Sequence, residues 1–245
     1  MKIAVITRWY NEEFFAPYFL NHYYWADDII VLLEQATTDR SAEIIARYPH
    51  ARIQWCNTGD KLNDRLLSDM MSDLAAELDA DWVLRADADE YAFAPGMACP
   101  RRAIEMADGN VINAWYRWIY RHHDEADLDP ALPPVPQRRH GGVYSIWPGM
   151  GDKYLKPTIV RPQVKLRWYP GEQRYQPNPA IKISTTVFDG AHWQMVDCEH
   201  AIARNHKNES RLSEENIKNK WGVKNFTPEM IRAECARHLF DPRVI

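Results

Sequence analysis

Three carboxylates stand within four residues, at Asp87, Asp89 and Glu90, directly after the apolar run Trp82-Val83-Leu84. Like charges this close repel, and each is costly to take out of water. Two arrangements relieve the conflict: a solvated polar turn at a strand end, or a divalent cation. Side chains of an extended chain alternate faces. Asp87 and Asp89 would then share one side, about 7 Å apart at roughly 3.3 Å per residue, with Glu90 on the other. Mg²⁺ and Mn²⁺ take one or two carboxylates and complete their shell with substrate phosphates and water. A lone Asp-x-Asp is weak evidence. This one is stronger, because it closes the fourth strand of a regular series.

That series consists of β-rich apolar runs at 3–7 and 29–33 and strand candidates at 52–56 and 82–86, separated by helical patterns. Asn11-Glu12-Glu13 opens a helix to about residue 25, with Asn11 as N-cap and acids in the first turn. Thr38-Asp39 caps a second helix through 48. A long third helix follows Asp60. Leu62, Leu66, Met70, Leu74 and Leu78 stand four apart along it, and Leu67 and Met71 broaden the stripe. Strands that are apolar throughout, joined by helices, predict an α/β fold with a mostly parallel sheet covered on both faces. Such sheets bind ligands beyond the C-terminal ends of their strands, where Asp87 and Asp89 fall.

The second half is less regular. The pattern predicts a helix over 101–107 and a strand over 111–120 carrying Trp115, Tyr116, Trp118 and Tyr120. Alternation would make one of its aromatic faces core and offer the other to an acceptor. Residues 122–151, rich in Pro, Gly, His and Arg, read as a long loop of the functional or mobile kind. Arg138-Arg139-His140 within it would suit a lid over an anionic site. Strands follow at 154–161 and 185–188, the latter closed by an Asp189-Gly190 turn, then helices at 211–221 and 228–239.

The chain has 245 residues, 46% hydrophobic and 26% charged, enough for one globular domain with a full core. A formal net charge of -4 carries no nucleic-acid footprint. Cys56, Cys99, Cys198 and Cys235 are far apart and form no CxxC pair, so they read as reduced thiols of a cytoplasmic protein. No run approaches the roughly 18–20 apolar residues of a membrane span, and the first residues are too short an apolar run for a signal peptide. The expectation is a soluble chain, for which docking on a membrane surface stays open.

The ordered set TRWYNEEFFAPYFLNHYY, IIVLLEQATTDRS and DWVLRADADEY resembles the family 2-like glycosyltransferases of the GT-A fold over about the first 95 residues. KPTIVRP, GAHW and NHKNESRLSEENIKNKWG are similar to the C-terminal part of some members. The resemblance implies one GT-A-like domain, with a nucleotide-binding half over 1–95 and an acceptor-binding half over 96–245 that ends in helices. It implies that Thr7, Arg8 and Tyr10 border the nucleotide base. Glu34 stands where the family usually has Asp near the base or ribose, and Asp39 matches the Asp of the Thr-Asp turn. Asp87 would face ribose or metal, and Asp89 would bind the metal that bridges the diphosphate. GT-A enzymes often supply a late histidine. His192 is the choice here and His206 the rival, and imidazole suits Mn²⁺ better than Mg²⁺.

Other residues carry two readings each. Lys61 and Arg65 could address phosphate or base, or form a solvated helix face. Lys156 and Arg161 could neutralise a diphosphate, or lie on the surface. Inverting transfer needs a general base, usually a carboxylate, whereas retaining transfer needs a different positioning, and the sequence leaves both open. Asp197 and Glu199 are preferred for the base over Asp124 and Asp189. The expected activity is metal-dependent transfer of a sugar from a nucleotide-diphosphate sugar to a hydroxyl of a saccharide or glycolipid, in polysaccharide or glycolipid assembly. One alternative is a nucleotidyltransferase, although TRWYNEE holds no glycine where that class carries a Gly-rich loop. The other is a non-catalytic nucleotide- or carbohydrate-binding module on the same fold.

Overall fold

The four apolar runs of the first half are strands: β1 (Ile3–Trp9), β2 (Asp28–Glu34), β3 (Ala51–Cys56) and β4 (Trp82–Arg85). They lie parallel in the order β3-β2-β1-β4. The computed structural model describes residues 1–97, 99–143, 145–146, 151 and 153–240. Three helices make the crossovers: α1 (Ala16–His22), α2 (Ser41–Ile45) and α3 (Asp64–Glu77). One face of the sheet packs Val5, Val31 and Leu84 against Phe15, Phe19 and Tyr23. The other packs Ala4, Ile30 and Val83 against Leu67, Met71 and Leu74 of α3. Both faces being covered is why Ile3–Ile6, Ile29–Leu33 and Trp82–Leu84 are apolar at every position, while the edge strand β3 leaves Arg52, Gln54 and Trp55 exposed.

The sheet then continues with mixed polarity. The second half supplies β5 (Glu90–Phe93), α4 (Pro100–Glu105), β6 (Val111–Tyr120), β7 (His140–Gly142), β8 (Lys153–Val160) and β9 (Ile183–Met195). It ends in α5 (Cys198–Ser210), α6 (Glu214–Asn219) and α7 (Pro228–His238). The full order is β3-β2-β1-β4-β8-β6-β9-β5, with β7 on β6. β8 is antiparallel to both β4 and β6, β9 runs parallel to β6, and β5 runs antiparallel to β9. The α/β class expected from the sequence is the one observed, with a sheet that is parallel through its first half and mixed beyond it.

Several local expectations are corrected. Asn11 caps no helix. It sits in the left-handed region at φ 51°, and its Oδ1 accepts from the Thr38 backbone N–H at 2.7 Å. It thereby ties the loop after β1 to the loop after β2. α1 starts only at Ala16, with proline in its first turn. Asn63 caps α3 by accepting from the Leu66 N–H at 3.0 Å, which turns Leu67, Met71 and Leu74 inward and leaves Leu66 exposed. α5 and β5 had no counterpart in the sequence reading. Of the expected 122–151 loop, residues 140–142 form β7, while 144 and 147–150 lie outside the described residues.

Asp189-Gly190 is no turn either, since β9 runs straight through it. Gly190 faces Tyr116 on β6, and a Cβ there would fall 2.5 Å from a carbon of that ring. The glycine makes room for an aromatic side chain rather than for a reversal. Gly190→Ala should therefore cost about 1–3 kcal/mol of stability, the usual penalty for overpacking. A lowered urea midpoint with an unchanged slope would register it.

Candidate functional site

β4 delivers Arg85 into the interior, where it is fully buried. A guanidinium there needs carboxylates around it. Asp87 Oδ1 accepts from Arg85 Nη2 at 2.6 Å, and the buried Glu172 carboxylate lies against the same nitrogen. The chain then turns. Glu90 N–H donates to the Asp87 carbonyl at 3.0 Å, and Glu90 Oε2 accepts from Asp87 N–H at 2.9 Å. Glu90 thus swings round to join Asp87. Lys156 of β8 donates to both Glu90 oxygens, at 2.9 and 2.6 Å, and to Asp87 Oδ2 at 3.3 Å. The extended alternation that would pair Asp87 with Asp89 and turn Glu90 away does not persist.

Asp89 has its own partners. Arg204 of α5 grips it through Nη1 at 2.5 Å and Nη2 at 3.3 Å, and His192 Nε2 of β9 lies 3.1 Å from Oδ2. The Asp89 carbonyl accepts from Trp193 N–H at 2.7 Å, which pins the turn to β9. His192 packs against Trp118, with ring centroids 4.4 Å apart. Its Nδ1 is 3.0 Å from the Tyr154 hydroxyl, whose proton goes to Glu90 Oε1 at 2.7 Å. The hydroxyl oxygen therefore accepts from Nδ1–H, and a neutral ring turns its Nε2 lone pair toward the Asp89 carboxylate. Two acceptors facing each other at that distance call for a cation between them, either a proton on the ring or a metal ion.

Burial alone would raise the Asp89 carboxyl, but Arg204 and then His192 hold it far below the usual carboxylate range. Burial is likewise outweighed at Asp87 by Arg85, Lys156 and Arg8. Lys224 goes the other way: burial, with Arg204 adding to it, draws its ammonium down to about 8.

Asp87, Asp89, His192, Arg204 and Lys224 wall an open cleft of about 270 Å³ at the C-terminal ends of β1, β2 and β4, with α5 along one side. Of the residues singled out in the sequence, Arg8, Tyr10, Glu34, Lys61, Asp87, Asp89 and His192 line it. Arg211 lies over the Tyr10 ring at 3.2 Å and reaches to 3.8 Å from Glu34. Others are held elsewhere. Thr7 is buried, its Oγ1 accepting from Trp9 Nε1 at 2.9 Å. Asp39 accepts from the backbone N–H groups of Glu13 and Ser41, at 2.8 and 2.9 Å. Arg65 lies over Trp221 at 5.4 Å and Arg161 over Trp82 at 4.3 Å. Lys156 stands buried behind the carboxylates. Asp197, one of two expected bases, is the N-cap of α5 and accepts from His200 N–H at 2.8 Å. Glu199, the other, pairs with Arg232 on the surface at 3.0 Å. His206 is exposed on α5.

Arg85, Arg204, Arg211 and Glu172 did not stand out in the sequence. A charge closing the apolar run Trp82–Arg85 was a readable signal. Arg204 and Arg211 belong to a polar segment that offers no apolar period, and Glu172 sits in an irregular stretch at φ 58°.

Neither a family model nor a curated protein matches the sequence. Solved structures do. Residues 1–349 of S. aureus TarS in complex with UDP align with 98% of this chain and 71% of their own, at 13% identity and a TM-score of 0.44. Glucosyl-3-phosphoglycerate synthase from Mycobacterium tuberculosis, in complex with Mn²⁺, UDP and glucosyl-3-phosphoglycerate, aligns with 47% of this chain and 44% of its own, at 16% identity and 0.35. A 4-diphosphocytidyl-2C-methyl-D-erythritol synthase aligns with 66% and 76%, at 13% identity and 0.34. At such identities and scores no activity carries across.

The depressed carboxyls have a measurable consequence. A carboxyl whose folded pKa lies below its unfolded value of about 3.9 contributes stability above that pH and loses it as the pH falls. The urea midpoint should drop as the pH is lowered below about 4, and the drop should be shallower in Asp89→Asn. An identical acid limb in the variant would mean that the Arg204–Asp89–His192 contacts add nothing.

Proposed function

We propose that the cleft binds a nucleoside-diphosphate sugar and that the protein transfers the sugar to an acceptor hydroxyl. The reading rests above all on the Asp89–His192 pair, a carboxylate oxygen and an imidazole nitrogen 3.1 Å apart in a cleft at the C-terminal edge of parallel strands. Arg8, Lys61, Arg204, Arg211 and Lys224 line the same cleft. They alternate with Glu12, Glu34, Asp64, Asp87, Asp89 and Glu209 of the same lining, and in such a site the cations would serve the oxygens of a diphosphate and the charge that develops as it leaves.

The donor set fits a divalent ion. One carboxylate oxygen and one imidazole nitrogen, completed by diphosphate oxygens and water, are within the habits of Mn²⁺ or Mg²⁺. Both carboxylates are held by cations, Asp89 by Arg204 at 2.5 and 3.3 Å and Asp87 by Arg85 and Lys156, so an ion at the Asp89–His192 pair would displace the guanidinium from Oδ2. A bound ion would supply Lewis-acid stabilisation of the leaving diphosphate.

The chain's own residues account for the rest. Tyr154, held by Glu90, fixes the His192 tautomer. Arg204 keeps Asp89 ionised and oriented. Glu34, backed by Thr58 N–H at 2.9 Å, offers a carboxylate to base or ribose. The Arg211–Tyr10 stack gives a flat face beside it. The acceptor would be a saccharide or glycolipid hydroxyl in polysaccharide or glycolipid assembly. No helix among the described residues is long and apolar enough to cross a membrane.

A thermal-shift series with UDP, GDP, dTDP, CDP and ADP, with and without Mn²⁺, tests the reading on wild type, Asp89→Asn and His192→Ala. One nucleotide should raise the melting temperature, by an amount equivalent to about 2.7 kcal/mol at a hundredfold excess over Kd. The Mn²⁺-dependent part should vanish in both variants. No shift with any nucleotide overturns the proposal. Binding without turnover of the matching nucleotide-sugar, offered with simple saccharide acceptors, would favour a binding module instead.

A further inference from the structure

A second cluster of ligating side chains lies outside the cleft. β6 ends at Tyr120, and His122 and Asp124 follow at once. The 122–140 segment then returns His140 to the start of β7, beside them. One ligand atom from each of the three lies within 4.8 Å of the other two. Among the described residues, no other three His, Cys, Asp or Glu side chains converge in this way.

We propose that His122, Asp124 and His140 form a metal site distinct from the cleft, and that it takes Zn²⁺. Two imidazoles and one carboxylate are donors that favour Zn²⁺ over Mg²⁺ or Ca²⁺, which prefer all-oxygen shells. The two rings stack face to face, centroids 3.9 Å apart and 15° from parallel. An ion shared by both would lie in the plane of each ring, so binding would turn one ring out of the stack.

The rings are also held from behind. The Glu125 side chain is almost wholly buried, and its Oε1 accepts from His140 Nδ1 at 3.0 Å. That bond leaves Nε2 of His140 as the ligating atom, in the carboxylate–histidine arrangement that supports metal-bound imidazoles. The same carboxylate accepts from the backbone N–H groups of His122 and Arg139, both at 2.9 Å. His122 Nδ1 is hydrogen-bonded to Asp124.

Access is open on one side. Asp124 and His140 line a hollow of about 490 Å³, whose wall also carries Asp127 and Asp129. A Zn²⁺ ion on three protein ligands would keep its fourth position toward that hollow, for water. The ion would tie the end of β6 to the start of β7. The tie lies four residues beyond Trp118, which lines the cleft.

The test uses the full chain carrying His192→Ala, so that the cleft pair is silenced, after removal of metal with EDTA. Isothermal titration with Zn²⁺, and visible absorption with Co²⁺ as its probe, are followed in this background. The expected result is one equivalent of Zn²⁺, a rise in melting temperature and the d–d bands of a Co²⁺ ion bound by nitrogen and oxygen. Adding His140→Ala should abolish uptake, and Glu125→Gln should weaken it about ten- to a hundredfold. Asp124→Asn, at an exposed position, serves if His140→Ala does not fold, and it should weaken binding as well. No uptake in the His192→Ala background would overturn the proposal. So would Zn²⁺ binding that survives His140→Ala or Asp124→Asn unchanged, because the ion would then sit elsewhere.

Discussion

A guanidinium at the inner end of β4 has no water to turn to. The chain must surround Arg85 with negative charge or leave it at a cost of several kcal/mol. Asp87 and Glu172 meet that need. They create the next one, since carboxylates gathered together must themselves be balanced. Lys156 lies between Asp87 and Glu90, and Arg8 between Asp64, Asp87 and Glu172. The outcome is a lattice of alternating charges in which each member holds its neighbours in place. Removing one leaves an uncompensated ion, and that is what gives such a network its rigidity. The turn that carries Asp89 hangs from this lattice.

The antiparallel β8 is part of the same solution. It enters between β4 and β6, and so brings Lys156 up behind the carboxylates and Tyr154 up to His192. A strand at the sheet's outer edge could not reach both. The fold's change from parallel to mixed pairing thus happens beside the strand end that most needs a cation.

Much of the parallel half was legible because its signal is simple: Ile3 to Ile6, Ile29 to Leu33 and Trp82 to Leu84 are apolar at every position, as a doubly covered sheet demands. The strand end at Asp87 and Asp89 was legible for the same reason. What followed it was not. Side-chain alternation assumes an extended chain, and the Glu90-to-Asp87 backbone bond ends the extension at that point. Asp189-Gly190 has the composition of a turn, yet the glycine is spent on Tyr116. α5 buries only Ala201 and Asn205, so no apolar period announced it. Its capping signal, Asp197, was read as a base. Arg204 went unseen with it, although it is the partner that defines Asp89. Long-range ion pairs leave no local trace in a sequence, since each side chain looks like an ordinary surface charge until its partner is known.

The Arg204–Asp89 contact also sets an order of events. A chain made from its N-terminus exposes the four parallel strands and their acidic edge first, and more than a hundred residues pass before the helix that neutralises Asp89 appears. The first half can collapse on its apolar strands, which need only each other and their crossover helices. Its charged edge cannot become dry until β8, β9 and α5 exist. The apolar core of the parallel half is thus local in sequence, whereas the dry form of its charged rim depends on residues more than a hundred positions away.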